Sequence, residues 1–85
     1  MATFSFFPSK NLGAYGDAGC ITTNTDKLAE ISKMLRNHGQ IKKHEHKLEG
    51  RNSRLYGIQA AILSVKLSHI DKWNKQRISK AALYN

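Results

Sequence analysis

The period of apolar and polar positions changes several times along this 85-residue chain, and each change predicts an element. Residues 3–7 cluster aromatic and β-branched side chains ahead of Pro8, which predicts a short strand. Its apolar residues do not strictly alternate, as expected of a strand covered on both faces of a larger sheet. Residues 9–19 carry Gly13, Gly16 and Gly19 and read as a loop needing backbone conformations closed to other residues. Residues 18–23 form the next strand candidate, ended by Asn24, Thr25 and Asp26, which are also good helix N-cap material. From Asp26 to about Asn37, Leu28, Ile31 and Leu35 share one helical face with Met34 beside them. Asp26 falls in the first turn, Arg36 and His38 in the last, and Gly39 at the C′ position. Residues 40–53 have no apolar period and read as a long, polar, basic loop. Leu55, Ile58, Ile62, Val65 and His69 mark a second helix. Ile70, Trp73, Arg77, Ala81 and Tyr84 continue a helical face, with Asp71 as a cap or bend between the two segments.

The order is therefore strand, glycine loop, strand, helix, long loop, helix, helix. Two strands do not make a stable sheet by themselves, and the apolar face of the third helix needs a cover. The expectation is an α/β fragment whose remaining strands lie outside these residues.

Composition changes this picture little. At 40% hydrophobic and 24% charged, the chain resembles an ordinary globular segment rather than a basic tail. Its 14 Lys+Arg against 6 Asp+Glu give a net +8, which on charge alone suggests a polyanionic partner. A single cysteine, Cys20, permits no internal disulfide and suits a reducing compartment. No apolar stretch is long enough for a bilayer span, and the first residues lack a basic leader, so the expected location is cytoplasmic with no membrane partner.

Lys10 is the position of chemical interest, because it follows a strand directly and opens a glycine loop, where α/β proteins place ligands. Beside Phe6, Phe7 and Pro8 its ammonium form could be disfavoured by desolvation, which would free the amine for Schiff-base chemistry. The alternative is a solvated surface lysine. The spacing Gly-x-x-Gly-x-x-Gly matches neither dinucleotide nor P-loop fingerprints, so it reads as a phosphate nest or a tight connection between strands. His38, His44 and His46 could suggest a metal, but Lys42, Lys43 and Lys47 surround them with repelling charge, and no metal is expected. The basic residues from Lys33 to Arg54 could bind nucleic acid, a small phosphorylated ligand or only water, and no nucleic-acid motif accompanies them. A small basic nucleic-acid-binding or interaction module is accordingly the rival to an enzyme. Trp73 and Tyr84 are expected in the core.

Taken together, Phe4-Ser-Phe-Phe-Pro-Ser-Lys-Asn-Leu-Gly-Ala-Tyr-Gly-Asp-Ala-Gly19 closely resembles the lysine segment of the DegT/DnrJ/EryC1/StrS family of pyridoxal-phosphate-dependent sugar aminotransferases. The resemblance continues in family order through Leu35-Arg-Asn-His-Gly-Gln40, Gly50-Arg-Asn-Ser-Arg-Leu55, Ile58-Gln-Ala-Ala-Ile-Leu63, Lys66-Leu67, Asp71-Lys-Trp73, Arg77 and Ala81-Ala-Leu-Tyr84.

The resemblance implies that residues 1–85 are part of the large, cofactor-binding domain of an aspartate-aminotransferase-like (fold type I) enzyme, incomplete at both ends and inactive alone. By the same resemblance, Lys10 is the lysine that forms an imine with pyridoxal 5'-phosphate and later shuttles a proton. Ser5 matches a hydroxyl that hydrogen-bonds the cofactor phosphate. Asn52, in Gly-x-Asn-x-Arg, matches an asparagine that reaches the phosphate held by the neighbouring subunit of a homodimer, with Arg54 helping to place it or meeting an anionic substrate. The implied partners are a keto nucleotide-sugar and an amino-acid donor such as glutamate. A related branch performs dehydration with histidine in place of this lysine, so Lys10 implies transamination. Tyr56 and His44 depart from the acidic residue and the tyrosine common in the family.

Overall fold

The computed structural model describes residues 1–84 as two units, each assembled from two separate stretches of chain. The first unit contains Met1–Phe4 and Cys20–Leu55, and the second contains Ser5–Gly19 together with the chain from Tyr56 onward.

Strand β1 (Ala2–Ser5) pairs with β2 (Gly19–Thr22) in a two-stranded sheet. Both strands are shorter than their apolar runs suggest. Past Ser5 the ladder gives way to single bonds, Phe6 N–H to the Ala18 carbonyl at 2.8 Å and Ala14 N–H to the Phe6 carbonyl at 2.8 Å. Every residue of β1 and β2 is exposed, so the two-sided cover expected for residues 3–7 is not supplied by this chain. The physical reason is the strand count: no third strand joins this sheet among the described residues.

Helix α1 (Asp26–Leu35) matches its sequence signals, with Asp26 in the first turn and Lys33 in the last. It stops earlier than about Asn37, with Arg36 as C-cap. Gly39 is not C′ but lies three residues past the C-cap, at φ 74°, with His38 before it at φ 57°. These consecutive left-handed residues reverse the chain, and the Gly39 N–H returns to the Met34 carbonyl at 2.8 Å.

The region expected to be a structureless loop is instead a hairpin and a clasp. Strands β3 (Gln40–Lys42) and β4 (Glu45–His46) pair antiparallel, Gln40 with His46 and Lys42 with Glu45, with an irregularity between Gln40 and Lys42. Lys43 and His44 make the turn, His44 at φ 69°. The chain then runs back along the end of α1: Arg51 N–H donates to the Leu35 carbonyl at 2.8 Å, His38 N–H to Arg51 at 3.0 Å, and Ser53 N–H to Arg36 at 2.9 Å. Asn37 and Asn52 face each other across an antiparallel bridge. This backbone bonding gives the polar segment an order that side-chain periodicity does not encode.

In the second unit, α2 (Gly57–Leu67) and α3 (Ile70–Ala81) are separated by Ser68 and His69, with Asp71 in the first turn of α3. The buried side of α2 differs from the expected one. Ile58 and Val65 are exposed, whereas Gln59, Leu63, Lys66 and, beyond the helix end, Ile70 are turned inward to differing degrees. Polar Gln59 and Lys66 occupy inward positions because each bonds the glycine loop. Among the described residues, Ala14 (1% exposed) and Leu63 (8%) are the buried apolar side chains. Trp73 is half-buried and stacks on His69 at 5.6 Å between ring centroids. Tyr84, expected in the core, is 91% exposed, since nothing in the last turn packs on it among the described residues.

Candidate active site

Lys10 and Ser5 bracket Phe7 within the second unit. The Ser5 hydroxyl oxygen accepts the Phe7 N–H at 3.3 Å, and the Phe7 carbonyl accepts the Lys10 N–H at 2.9 Å. The strand therefore turns at Pro8 and Ser9 and delivers Lys10 at its carboxyl end, as the sequence pattern requires. Of the two settings open to Lys10 the structure has the solvated one: Lys10 and Pro8 are exposed and Phe7 is 51% exposed. The turn has no element lying over it among the described residues, so the flanking aromatics do not exclude water from the amine.

Beyond Lys10 the glycine loop folds back on its own start. A Cβ on Gly13 would collide with the Pro8 carbonyl, so a side chain there is excluded by close approach. The loop is then held from the helices. Gln59 Oε1 accepts the Tyr15 N–H at 2.8 Å, and the Gln59 amide nitrogen lies so close over Gly16 that a Cβ there would come within 2.9 Å of it. Lys66 donates to the Gly13 carbonyl and places its ammonium 5.1 Å from the Tyr15 ring centroid. Asn11, next to Lys10, donates its side-chain amide to Asn74 Oδ1 at 2.9 Å. Gln59, Lys66 and Asn74 have no role in the sequence reading. What signals the first two is their polarity at inward positions of an otherwise apolar helix.

Asn52 belongs to the first unit. Its Oδ1 accepts the Arg54 Nε–H at 3.0 Å, which leaves the amide nitrogen as the outward donor. In the same unit His46 turns one ring nitrogen to the His38 carbonyl at 2.8 Å and the other toward Gln40 at 3.3 Å. No cluster of three metal-ligating side chains forms among the described residues. Between α1 and the clasp, an open cavity of about 500 Å³ is lined by Ile21, Ser32, Leu35, Arg36, Arg51 and Ser53, among others.

The donor set suits a phosphate-bearing aldehyde. An aldehyde condenses with a primary amine, and Lys10 offers one at the end of the strand. A phosphate dianion needs donors whose protons are not already used. Ser5 accepts with its oxygen and keeps its own O–H to give, and Asn52 keeps its amide protons.

Comparison with known proteins agrees with this chemistry. Over 83 residues the chain is 58% identical to a pleiotropic regulatory protein of Geobacillus stearothermophilus, covering 98% of this chain and 22% of that protein. Over 84 residues it is 49% identical to the dTDP-3-amino-3,4,6-trideoxy-alpha-D-glucose transaminase of Streptomyces venezuelae, covering 99% of this chain and 22% of the relative. The crystal structure of S. venezuelae DesV superposes with a TM-score of 0.92 at 49% identity, over 96% of this chain and 22% of that one. The chain thus spans less than a quarter of the length of these relatives, and its fold is an α/β segment of the fold type I aminotransferase architecture. No helix among the described residues is long and apolar enough to cross a membrane. The family whose sequence profile matches residues 1–85 without a break consists of pyridoxal-phosphate-dependent transaminases, and the chain belongs to it: the DegT/DnrJ/EryC1/StrS aminotransferase family.

Proposed function

We propose that the protein carrying these residues is a pyridoxal-phosphate-dependent aminotransferase that moves an amino group from a donor such as glutamate to a keto nucleotide-sugar, working as a homodimer in the cytoplasm. The observation that carries this reading is the Ser5–Phe7–Lys10 turn, which sets a hydroxyl and an accessible amine at the end of one strand. The sugar class is supported by relatives named as transaminases of dTDP- and UDP-linked sugars.

What the cofactor supplies when bound is an aldehyde to carry nitrogen and an electron-poor ring to stabilise charge on the adjacent carbon. Lys10 is the residue that would hold the cofactor, through Nζ. Its free amine would serve as the base that moves a proton between the donor carbon and the carbon on the other side of the transferred nitrogen. Ser5 Oγ–H donates to a phosphate oxygen while the Phe7 N–H fixes the direction of the hydroxyl. Asn52 Nδ2 donates to the phosphate held by the partner subunit, its orientation set by Arg54. The excess of basic residues around Asn52 adds a positive field for the phosphates of cofactor and substrate.

The test is covalent trapping in the full-length protein. Incubation with pyridoxal phosphate followed by borohydride should fix one cofactor per subunit, on the peptide containing Lys10. A protein labelled equally on scattered lysines, or labelled unchanged in K10R, overturns the assignment.

A further inference from the structure

Three side chains from the two helices of the second unit converge on five consecutive residues after Lys10. Asn74 binds the Asn11 side chain, Lys66 the Gly13 carbonyl and Gln59 the Tyr15 N–H. Each contact joins positions far apart in sequence, and each falls on a different residue of the loop. A glycine-rich segment is the part of the chain with the most backbone freedom to lose. Held at one point, such a loop would still pivot about the contact. Held at three points that alternate side chain, carbonyl and N–H, it keeps one position.

We propose that Gln59, Lys66 and Asn74 are positioning residues that clamp the loop following Lys10 and, through it, set the direction from which the Lys10 amine approaches the cofactor. The inference rests on the cofactor reading above. Lys10 is the last residue before the clamped stretch, and its N–H is tied to the Phe7 carbonyl. The amine is thus at the end of a flexible side chain whose Cα is fixed from both sides. Ser5 Oγ is fixed by the Phe7 N–H of the same turn, so rotation of the loop would misalign amine and hydroxyl together. None of the three clamp residues needs to touch the cofactor. Their contribution is orientation, the kind of effect for which a displacement of about 1 Å costs about a hundredfold in rate.

Lys66 has a second function in the clamp. Its ammonium lies near the Tyr15 ring as well as on the Gly13 carbonyl, so one cation spans the two ends of the Gly13–Tyr15 segment. Methionine at this position retains the apolar stem and removes both attractions. Gln59 allows a cleaner separation: leucine keeps the shape and loses the acceptor, whereas glutamate keeps an oxygen for the Tyr15 N–H.

The experiment uses the full-length protein with and without pyridoxal phosphate, carrying Q59L, Q59E, K66M or N74A. Without cofactor, amide hydrogen exchange across residues 11–16 should accelerate in Q59L and K66M and stay near the unsubstituted rate in Q59E. With cofactor, borohydride should still label Lys10 in all four. In Q59L and K66M kcat should fall by about ten- to a hundredfold while KM for the amino donor moves by less than about threefold. The pH midpoint of the bound cofactor's visible absorbance should also shift, which lowered stability alone would not cause. N74A, which removes one surface pair, should show the same pattern at smaller amplitude, and it serves as the second variant should Q59L not fold. Loss of melting temperature with loop exchange, kcat and absorbance midpoint unchanged overturns the clamp and leaves the cofactor assignment intact. Absence of the Lys10 label in the unsubstituted protein overturns the assignment and the catalytic part of the proposal with it.

Discussion

Asn52 receives the Arg54 Nε–H on its side-chain oxygen at 3.0 Å, so the two ends of its amide are distinguished: one is occupied within the protein, and the other is free to donate. The bond joins residues two apart in sequence and needs no distant element to form. It orients a donor on a segment that is itself pinned by the Asn37–Asn52 bridge.

A donor that serves the partner's cofactor can be tested by complementation. At a cofactor concentration limiting for N52A, K10A and N52A should each be nearly inactive alone. Mixed by unfolding and refolding together, they should recover about a quarter of the unsubstituted rate, because half the dimers are mixed and each holds one intact site. Activity measured against the ratio of the two variants checks this. No recovery would mean that Asn52 serves its own subunit or none.

Removing the orienting bond should cost less than removing the donor. R54A is expected to weaken pyridoxal phosphate binding by about fivefold, the equivalent of one hydrogen bond near 1 kcal/mol. N52A should weaken it further. Equilibrium titration of the cofactor against both variants gives the order.

If Ser5 donates to the cofactor phosphate as proposed, S5A should lower cofactor affinity by about ten- to a hundredfold, corresponding to about 1.5–3 kcal/mol. Threonine keeps the hydroxyl and should recover most of the loss. Titration of the apo protein followed by visible absorbance reads both.

Gly39 and Gly50 sit backbone to backbone in the clasp. A Cβ on Gly50 would strike the Gly39 nitrogen, and one on Gly39 would strike the Leu48 carbonyl. Gly39 also has φ 74°, so G39A adds conformational strain of about 1 kcal/mol or more to the collision. Both G39A and G50A should lower the denaturation midpoint of the full-length protein, G39A more. By contrast, G57A has open space around its Cβ and should be tolerated.

How much of this was legible in the sequence depended on where each element's order comes from. Helix α1 announces itself through Asp26, its apolar face and the basic residues at its end, because those signals act within one turn. The break before α3 and the turn at Pro8 are likewise local. The β3–β4 hairpin was not legible: strands of three and two residues carry no alternation, and its turn uses a left-handed His44 rather than glycine. The clasp depends on backbone bonds from Arg51 and Ser53 to the end of α1, which no side-chain pattern reports. At the site, Lys10 stands out by its place between a strand and a glycine loop, Ser5 and Asn52 by resemblance alone, and structure adds the hydrogen bonds that give each a direction. Gln59 and Lys66 were passed over because an apolar period assigns polar residues to the outside of a helix. Here they face inward because the loop supplies their partners.

The alternation of the two units along the chain also bears on synthesis. The loop bearing Lys10 leaves the ribosome before its partners Gln59, Lys66 and Asn74, which follow only after the whole of Cys20–Leu55. Asn11 and Asn74 are 63 residues apart, so at about 5–20 residues per second the loop waits for about 3–13 s before all three contacts can close. During that interval the glycine segment of the nascent chain lacks its three side-chain anchors. The loop after Lys10 therefore reaches its final position later than the first strands and helix of the segment in which it lies.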